Sequence, residues 1–355
     1  FLNEATQQLS KRYLELKQKE IGQRIEPGRF QDEMRRVQHY IATRNVYGVD
    51  LNATAVELGA LSLWLGSIHR LFIKEGENGQ ADIYKPGSTP WFGLRLRCGN
   101  SLIGAGRRVW TKKQLKKGQH FGNKSVVPRL LNPGERLKGD EIYHFLVFDE
   151  DMIPTHKEPL MKKFIIESCD DAKAWITREV KTKWDEEDIS RAIEISKLID
   201  DHWVQYSEQR LKALKRTSCT ASVWPISSDS NKAFEEGPSL TQQEKIKQEL
   251  EATSGSFQRL KLIMDTWCSL FFWPLDQTET LPRRTSFLEA ARILVGDKPP
   301  QDNLLSFLST VFDFDIKSLF DAAKNDVPDT EILSGIVSWY GVGKRIADEQ
   351  KFHHW

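Results

Sequence analysis

The feature that most constrains this chain is an ordered series of short pieces between residues 45 and 101. A β-prone run, Asn45-Val-Tyr-Gly-Val-Asp50, ends in an acid. Asn52 or Thr54 can then cap a helix in which Val56, Leu58, Leu61, Leu63, Trp64 and Leu65 make an apolar surface. A loop rich in Gly, Pro and Ser, Glu75 to Pro90, leads to a second strand-like run, Leu94-Arg-Leu-Arg-Cys98, and the polar turn Gly99-Asn100-Ser101. Strand, acid, helix, loop, strand and polar turn follow one another as in an open α/β sheet. Ligands of such sheets sit at the carboxyl ends of the strands, where both Asp50 and Asn100 fall. An acid there can accept the ribose hydroxyls of a nucleotide cofactor, and an amide can hydrogen-bond a planar base. Each residue also has a plainer reading, Asp50 as a helix-start residue and Asn100 as an Asx turn.

Helical patterns surround this core. Residues 2 to 20 carry Leu2, Ala5, Leu9, Tyr13 and Leu16 as one stripe, and a second helix over 30–43 carries Met34, Val37 and Ile41. Beyond Gly104 the chain becomes loop-rich and basic, then Glu141 to Phe148 reads as a strand. A long helix is predicted over 185–216, with acids first and bases last to complement its dipole. Its buried side is expected to include Ile189, Ile193, Leu198, Trp203, Tyr206, Leu211 and Leu214. Residues 226 to 240 read as a linker, and Thr241 with Glu244 as a capping box for the following helix. Shorter helices are predicted over 256–272, 285–295, 302–312 and 329–350.

The net charge of +1 conceals an uneven distribution. Arg107, Arg108, Lys112, Lys113, Lys116, Lys117, Lys124, Arg129, Arg136 and Lys138 stand against the single acid Glu135 between Ala105 and Gly139. That segment carries +9, leaving −8 for the rest of the chain. Such density is the natural signature of phosphate contacts, so a polyanion is the expected partner, with a solvated loop as the alternative. Trp110 within the run reads as a packing anchor.

Several chemistries find no support. No window approaches the length of an apolar membrane span, and the four cysteines include no C-x-x-C pair, which fits a reduced, cytoplasmic protein. Gly341-Val-Gly343-Lys344 is no phosphate loop, because Ser338 and Arg345 stand where glycine and Ser/Thr are required. His353-His354 lacks a further ligand at helical spacing, so no metal is expected. A nicotinamide-dependent oxidoreductase shares the strand-end acid but needs G-x-G-x-x-G.

Longer strings are more specific. Asn45 to Leu65 and Leu96-Arg-Cys-Gly-Asn-Ser-Leu-Ile-Gly-Ala105 resemble the cofactor-side motifs of adenine-specific DNA methyltransferases, above all the large single-chain methylases of type II restriction–modification and of the DISARM and related phage-defence systems. Ile142-Tyr-His-Phe-Leu146, Met264-Asp-Thr-Trp-Cys268, Phe271-Phe-Trp-Pro274 and Lys351-Phe-His-His-Trp355 extend the resemblance along nearly the whole chain. It implies an α/β fold: a partial Rossmann-like class I methyltransferase core over 1–104, an insertion with a basic DNA-facing segment and long helix over 105–238, and a helical segment over 239–355.

The implied reaction is methyl transfer from S-adenosylmethionine to N6 of an extruded adenine in double-stranded DNA. Asp50 would hold the cofactor ribose and Asn100 its adenine, with Leu51 and Phe1 completing the cofactor site. Arg107, Arg108, Lys112, Lys113, Lys116 and Lys117 would face DNA. Other restriction or defence subunits are further candidate partners, and no membrane is expected. Relatives often carry Asp where Asn100 stands, and both the Asp-Pro-Ala-x-Gly-Ser loop and the Asn-Pro-Pro-Tyr/Trp motif are missing here. The chain is therefore expected to be an internal segment with no catalytic residue of its own. The competing expectation is a non-catalytic DNA-binding or assembly module of a restriction or defence complex.

Overall fold

A computed structural model describes residues 1–74, 83–86, 89–218, 223–225, 238–252, 255–296 and 330–354, with only the backbone described at 70–74, 83–86 and 330–338. The anticipated helix over 302–312, most of the 226–240 linker and much of the 75–90 loop lie outside the described residues. The chain divides into two compact units that interleave along the sequence. Unit 1 takes Phe1–Gly99 and Gln209–Leu250, and unit 2 takes Asn100–Glu208 and Glu251–Trp355.

Unit 1 begins with helices α1 (Leu2–Ile21) and α2 (Pro27–Arg44), followed by β1 (Gly48–Asp50), α3 (Ala53–Gly66), β2 (Arg70–Lys74), β3 (Ile83–Pro86) and β4 (Leu96–Cys98). Strands β1 and β4 pair in parallel, Gly48 with Leu96, Val49 with Arg97 and Asp50 with Cys98, so α3 lies in the crossover between parallel strands. Strands β2 and β3 form a separate antiparallel pair. Asn52 caps α3, its side chain accepting the Thr54 amide at 2.9 Å.

Two apolar patterns are buried differently from expectation. In α1 the covered residues are Thr6, Ser10 and Leu14, while Leu9 and Leu16 are exposed. The Thr6 hydroxyl donates to Asn3 O at 2.8 Å and the Ser10 hydroxyl to Thr6 O at 2.6 Å, so both can be covered without an unsatisfied donor. Gln38 of α2 donates to Asn3 Oδ1 at 3.0 Å, making this seam polar. On α3 only Leu63 is fully covered, with Leu58, Leu61, Trp64 and Leu65 all exposed.

Unit 2 holds β5 (Arg108–Thr111), α4 (Lys112–Lys116), β6 (Arg129–Leu130) and β7 (Glu141–Tyr143), then α5 (Pro159–Phe164), α6 (Ile166–Trp175) and α7 (Glu186–Thr217), whose residues from Gln209 onward group with unit 1. α8 (Leu240–Leu250) belongs to unit 1, and α9 (Ser256–Ser269), α10 (Arg284–Val295) and α11 (Thr330–Gln350) to unit 2. The three strands form an antiparallel sheet in the order β6-β5-β7. Val109, Trp110, Ile142 and Tyr143 of the sheet join one continuous core with Phe145, Trp175, Trp273 and Phe287.

The strand anticipated over 141–148 stops at Tyr143 and gives way to a 3-10 turn, His144–Leu146. All eight residues are buried, and periodicity alone cannot separate a buried strand from a buried turn. The long helix begins and ends within one residue of expectation, but Leu211 is exposed. The box capping α8 uses Ser239 and Gln242, two residues before the anticipated pair: Gln242 N donates to Ser239 Oγ at 3.3 Å and Ser239 N to Gln242 Oε1 at 2.9 Å. Gly341 to Lys344 lie inside α11. Among the described residues no helix is long and apolar enough to cross a membrane.

Candidate functional site

The strand-end acid is where the sequence places it. Asp50 closes β1 as an exposed residue, and its Oδ1 accepts the Asn52 amide at 2.8 Å. This turn starts α3, so the carboxylate has a local structural role while Oδ2 has no partner among the described residues. The Asp50 carbonyl accepts the Gly99 amide at 2.9 Å, extending the β1–β4 ladder by one bond. Leu51 is half exposed and its carbonyl accepts the Cys98 thiol at 3.4 Å. Phe1 is fully exposed at the start of α1. Its neighbour Leu2 reaches Gly48, at the opening end of β1, where a Cβ on the glycine would lie 3.4 Å from Leu2 Cδ1.

Asn100 is the next residue after Gly99 and the first of unit 2. Its Oδ1 accepts the Leu102 amide at 3.1 Å, the Asx turn that the sequence allowed. Its backbone bridges in parallel to Phe352, and its amide donates to Lys351 O at 2.6 Å. The segment after α11 is thereby held against residues 100–105. His353 N donates to Ile103 O at 3.0 Å, and His354 joins Ala105 to α9, accepting the Ala105 amide at 3.0 Å and lying 2.8 Å from Asp265 Oδ1. His354 thus serves as a clamp, and among the described residues no cluster of three or more His, Cys, Asp or Glu could hold a metal ion. Cys98, Cys169 and Cys268 are free thiols.

The basic segment separates into two groups that sequence alone cannot distinguish. Arg107 donates to Asp200 Oδ1 at 3.3 Å and to Glu135 O at 2.9 Å, and its guanidinium sits 5.9 Å from the centre of the Trp203 ring. Arg136 pairs with Asp200 at 2.7 Å and Asp201 at 2.5 Å. Arg129 pairs with Glu135 and Glu141, both at 2.7 Å. Lys112 and Lys116 both pair with Glu186, and they hold its carboxyl below the usual carboxylate range. Five of the ten bases are therefore neutralised internally, four of them by acids of α7. Arg108, Lys113, Lys117, Lys124 and Lys138 are exposed, with no ion-pair partner among the described residues.

The sequence does not disclose this partition: Glu186 reads there as a complement to the helix dipole, and the mid-helix acids Asp200 and Asp201 carry no local signal. The compensating −8 elsewhere in the chain was the available signal. A cleft in unit 2, of about 700 Å³, also passed unnoticed. Arg108 and Trp110 line it together with His120, His144 and Trp267. Burial pushes both imidazoles down to about 4, so each is neutral near pH 7. Burial also raises the carboxyl of Asp149 at the same cleft.

Comparison with known proteins gives one partial likeness. Over 76 residues the chain is 36% identical to a protein of Methanocaldococcus jannaschii that bears the provisional name type II restriction enzyme and methyltransferase. The matched stretch is 21% of this chain and 6% of that much longer relative. No family model and no solved structure matches the chain. The likeness links the chain to restriction–modification proteins and goes no further.

Proposed function

We propose that this chain is a segment of a site-specific DNA methyltransferase, acting on N6 of adenine in double-stranded DNA and using S-adenosylmethionine. In this reading the β1–α3–β4 unit is part of a Rossmann-like class I core, and the mostly helical remainder is an insertion into it. The observation that carries the reading is the position of Asp50. It is an exposed acid at the carboxyl end of a strand in a parallel pair, two residues before a capped helix N-terminus. Partial identity to a protein named as a methyltransferase supports it.

The residues fit a nucleoside in one respect that can be checked on the structure. Asp50 Oδ2 is unpartnered among the described residues, and a carboxylate oxygen accepts a ribose hydroxyl well. Leu51 and Phe1 supply exposed apolar surface. S-adenosylmethionine, when bound, supplies an electrophilic methyl group; the chain's own residues bind and orient it. The adenine amino group is a weak nucleophile whose alignment and charge stabilisation govern such a transfer. No residue here is assigned to either task. The chain is accordingly expected to bind cofactor without methylating DNA.

Calorimetric titration with S-adenosylmethionine tests the reading. Saturable binding that weakens at least tenfold in Asp50→Ala is expected. Binding that is absent, or unchanged in the variant, overturns it. Labelled methyl transfer to adenine-containing duplex by this chain would overturn the expected inactivity. A second reading, a DNA-binding or assembly module of a restriction or defence complex, is favoured by the five unpaired bases between Arg108 and Lys138.

A further inference from the structure

We propose that the cleft of unit 2 binds one nucleotide unit carrying an amino-bearing base, with the base against Trp110 and Trp267 and its phosphate on Arg108. This inference is independent of methyl transfer and of the Asp50 site. The cleft's volume of about 700 Å³ lies in the range of small-molecule sites. Its walls supply flat rings: Trp110 and His120 meet edge to face at 6.4 Å, and His144 and Trp267 at 5.0 Å. Such surfaces stack on any base and confer little preference among them.

Preference comes from the imidazoles. His120 Nε2 lies 3.2 Å from Val180 O, and His144 Nδ1 lies 3.3 Å from Arg108 O. A carbonyl only accepts, so those nitrogens carry the protons. The opposite nitrogens, His120 Nδ1 and His144 Nε2, are then acceptors. His120 Nδ1 is buried and has no hydrogen-bond partner among the described residues. A covered acceptor without a donor is what an incoming N–H group would satisfy. Both rings are held neutral by burial, which keeps the acceptors available at neutral pH. The exocyclic amino groups of adenine, cytosine and guanine are donors of the required kind.

The phosphate side is equally defined. Arg108 lines the cleft, is exposed and has no ion-pair partner among the described residues, whereas the adjacent Arg107 is tied to Asp200. A guanidinium at the mouth of an aromatic-walled cleft matches a nucleotide's anionic end and flat base. The nucleotide can be free or part of a strand, and the two sources share this chemistry.

Tryptophan fluorescence titration of the full chain tests the proposal. The probes are adenosine 5′-monophosphate, adenosine, purine riboside 5′-monophosphate and a short adenine-containing single-stranded oligodeoxynucleotide. Saturable quenching by the monophosphate assigns the cleft to free nucleotide. Saturable quenching by the oligonucleotide alone assigns it to a nucleotide within a strand. Either result sustains the proposal, provided Arg108→Ala, a surface change that spares the fold, weakens the phosphorylated probe at least tenfold and leaves adenosine unaffected. His120→Phe keeps an aromatic ring but removes the acceptor, and should abolish the preference for the amino-bearing base over purine riboside monophosphate. No saturable quenching by any probe overturns the proposal, as does equal binding of all probes to the native chain and Arg108→Ala.

Discussion

Arg107 Nη2 lies 3.3 Å from Asp200 Oδ1, joining the edge of a basic run to the middle of a long helix. Asp200 is only 2% exposed and also accepts from Arg136 at 2.7 Å and from the Tyr143 hydroxyl at 2.9 Å. One covered carboxylate therefore organises two guanidiniums and a phenol. Asp200→Ala would leave these donors without their common acceptor, and removing one partner of such a network is strongly destabilising. The expected loss is about 3 kcal/mol in urea unfolding; a loss below about 0.5 kcal/mol would show that the network contributes nothing to stability.

The division of the bases predicts which charges DNA would feel. Lys113 and Lys117 have no ion-pair partner among the described residues, whereas Lys112 and Lys116 share Glu186. Replacing Lys113 and Lys117 together with Ala should reduce the slope of log affinity against log salt by about 2, since each phosphate contact contributes about 0.9. Replacing Lys112 and Lys116 should have the smaller effect, and Glu186→Gln should steepen the slope by freeing both. The reverse ranking in a salt series of DNA-binding titrations would refute the partition.

Acid should destabilise the fold through covered histidines. Burial pushes His39 down to about 3 and His120 and His144 to about 4, and lowers His69 as well. In the unfolded chain these rings protonate near pH 6.5. Between that pH and the folded values the unfolded state binds more protons, so stability rises with pH. Their contribution is complete above about pH 6.5 and is lost as pH falls toward 4. By pH 5 the loss should be roughly 1–2 kcal/mol for each of His39, His120 and His144. Melting temperatures between pH 7 and pH 5 check this; a flat profile would mean that the rings are not covered.

Gly104 is a close-approach position. A Cβ there would lie 1.8 Å from His353 O, so the two backbone segments can meet only at glycine. Gly104→Ala should cost about 2–3 kcal/mol and release residues 351–354 from residues 100–105. Hydrogen exchange at the His353 amide, which donates to Ile103 O at 3.0 Å, would report that release. Unchanged protection in the variant would show that the tail does not need this approach.

Local chemistry was legible in the sequence wherever a residue acts on its near neighbours. Asn52 caps α3, Asp50 closes its strand, and acids open the long helix while bases end it, each through groups a few residues apart. The two turns at Asp50 and Asn100 were also foreseeable, since short polar side chains bond the amide two residues on. Periodicity misjudged burial where hydroxyls replaced apolar groups, as at Thr6 and Ser10, whose donors are satisfied by the preceding turn. It also misjudged the run after Tyr143, which is covered on every side and so shows no alternation.

The sequence by itself determined the strand–acid–helix order at Asp50, the extent of the long helix and the concentration of positive charge between Ala105 and Gly139. It did not determine the β2–β3 pair that precedes β4. Tertiary structure alone decided which of those charges remain available, because Arg107 meets an acid 93 residues away and Lys112 one 74 residues away. Coulombic pairing depends on distance through space and is indifferent to separation along the chain. For the same reason the neutral imidazoles of His120 and His144 emerge only when β5, β6 and α9 close around one cleft.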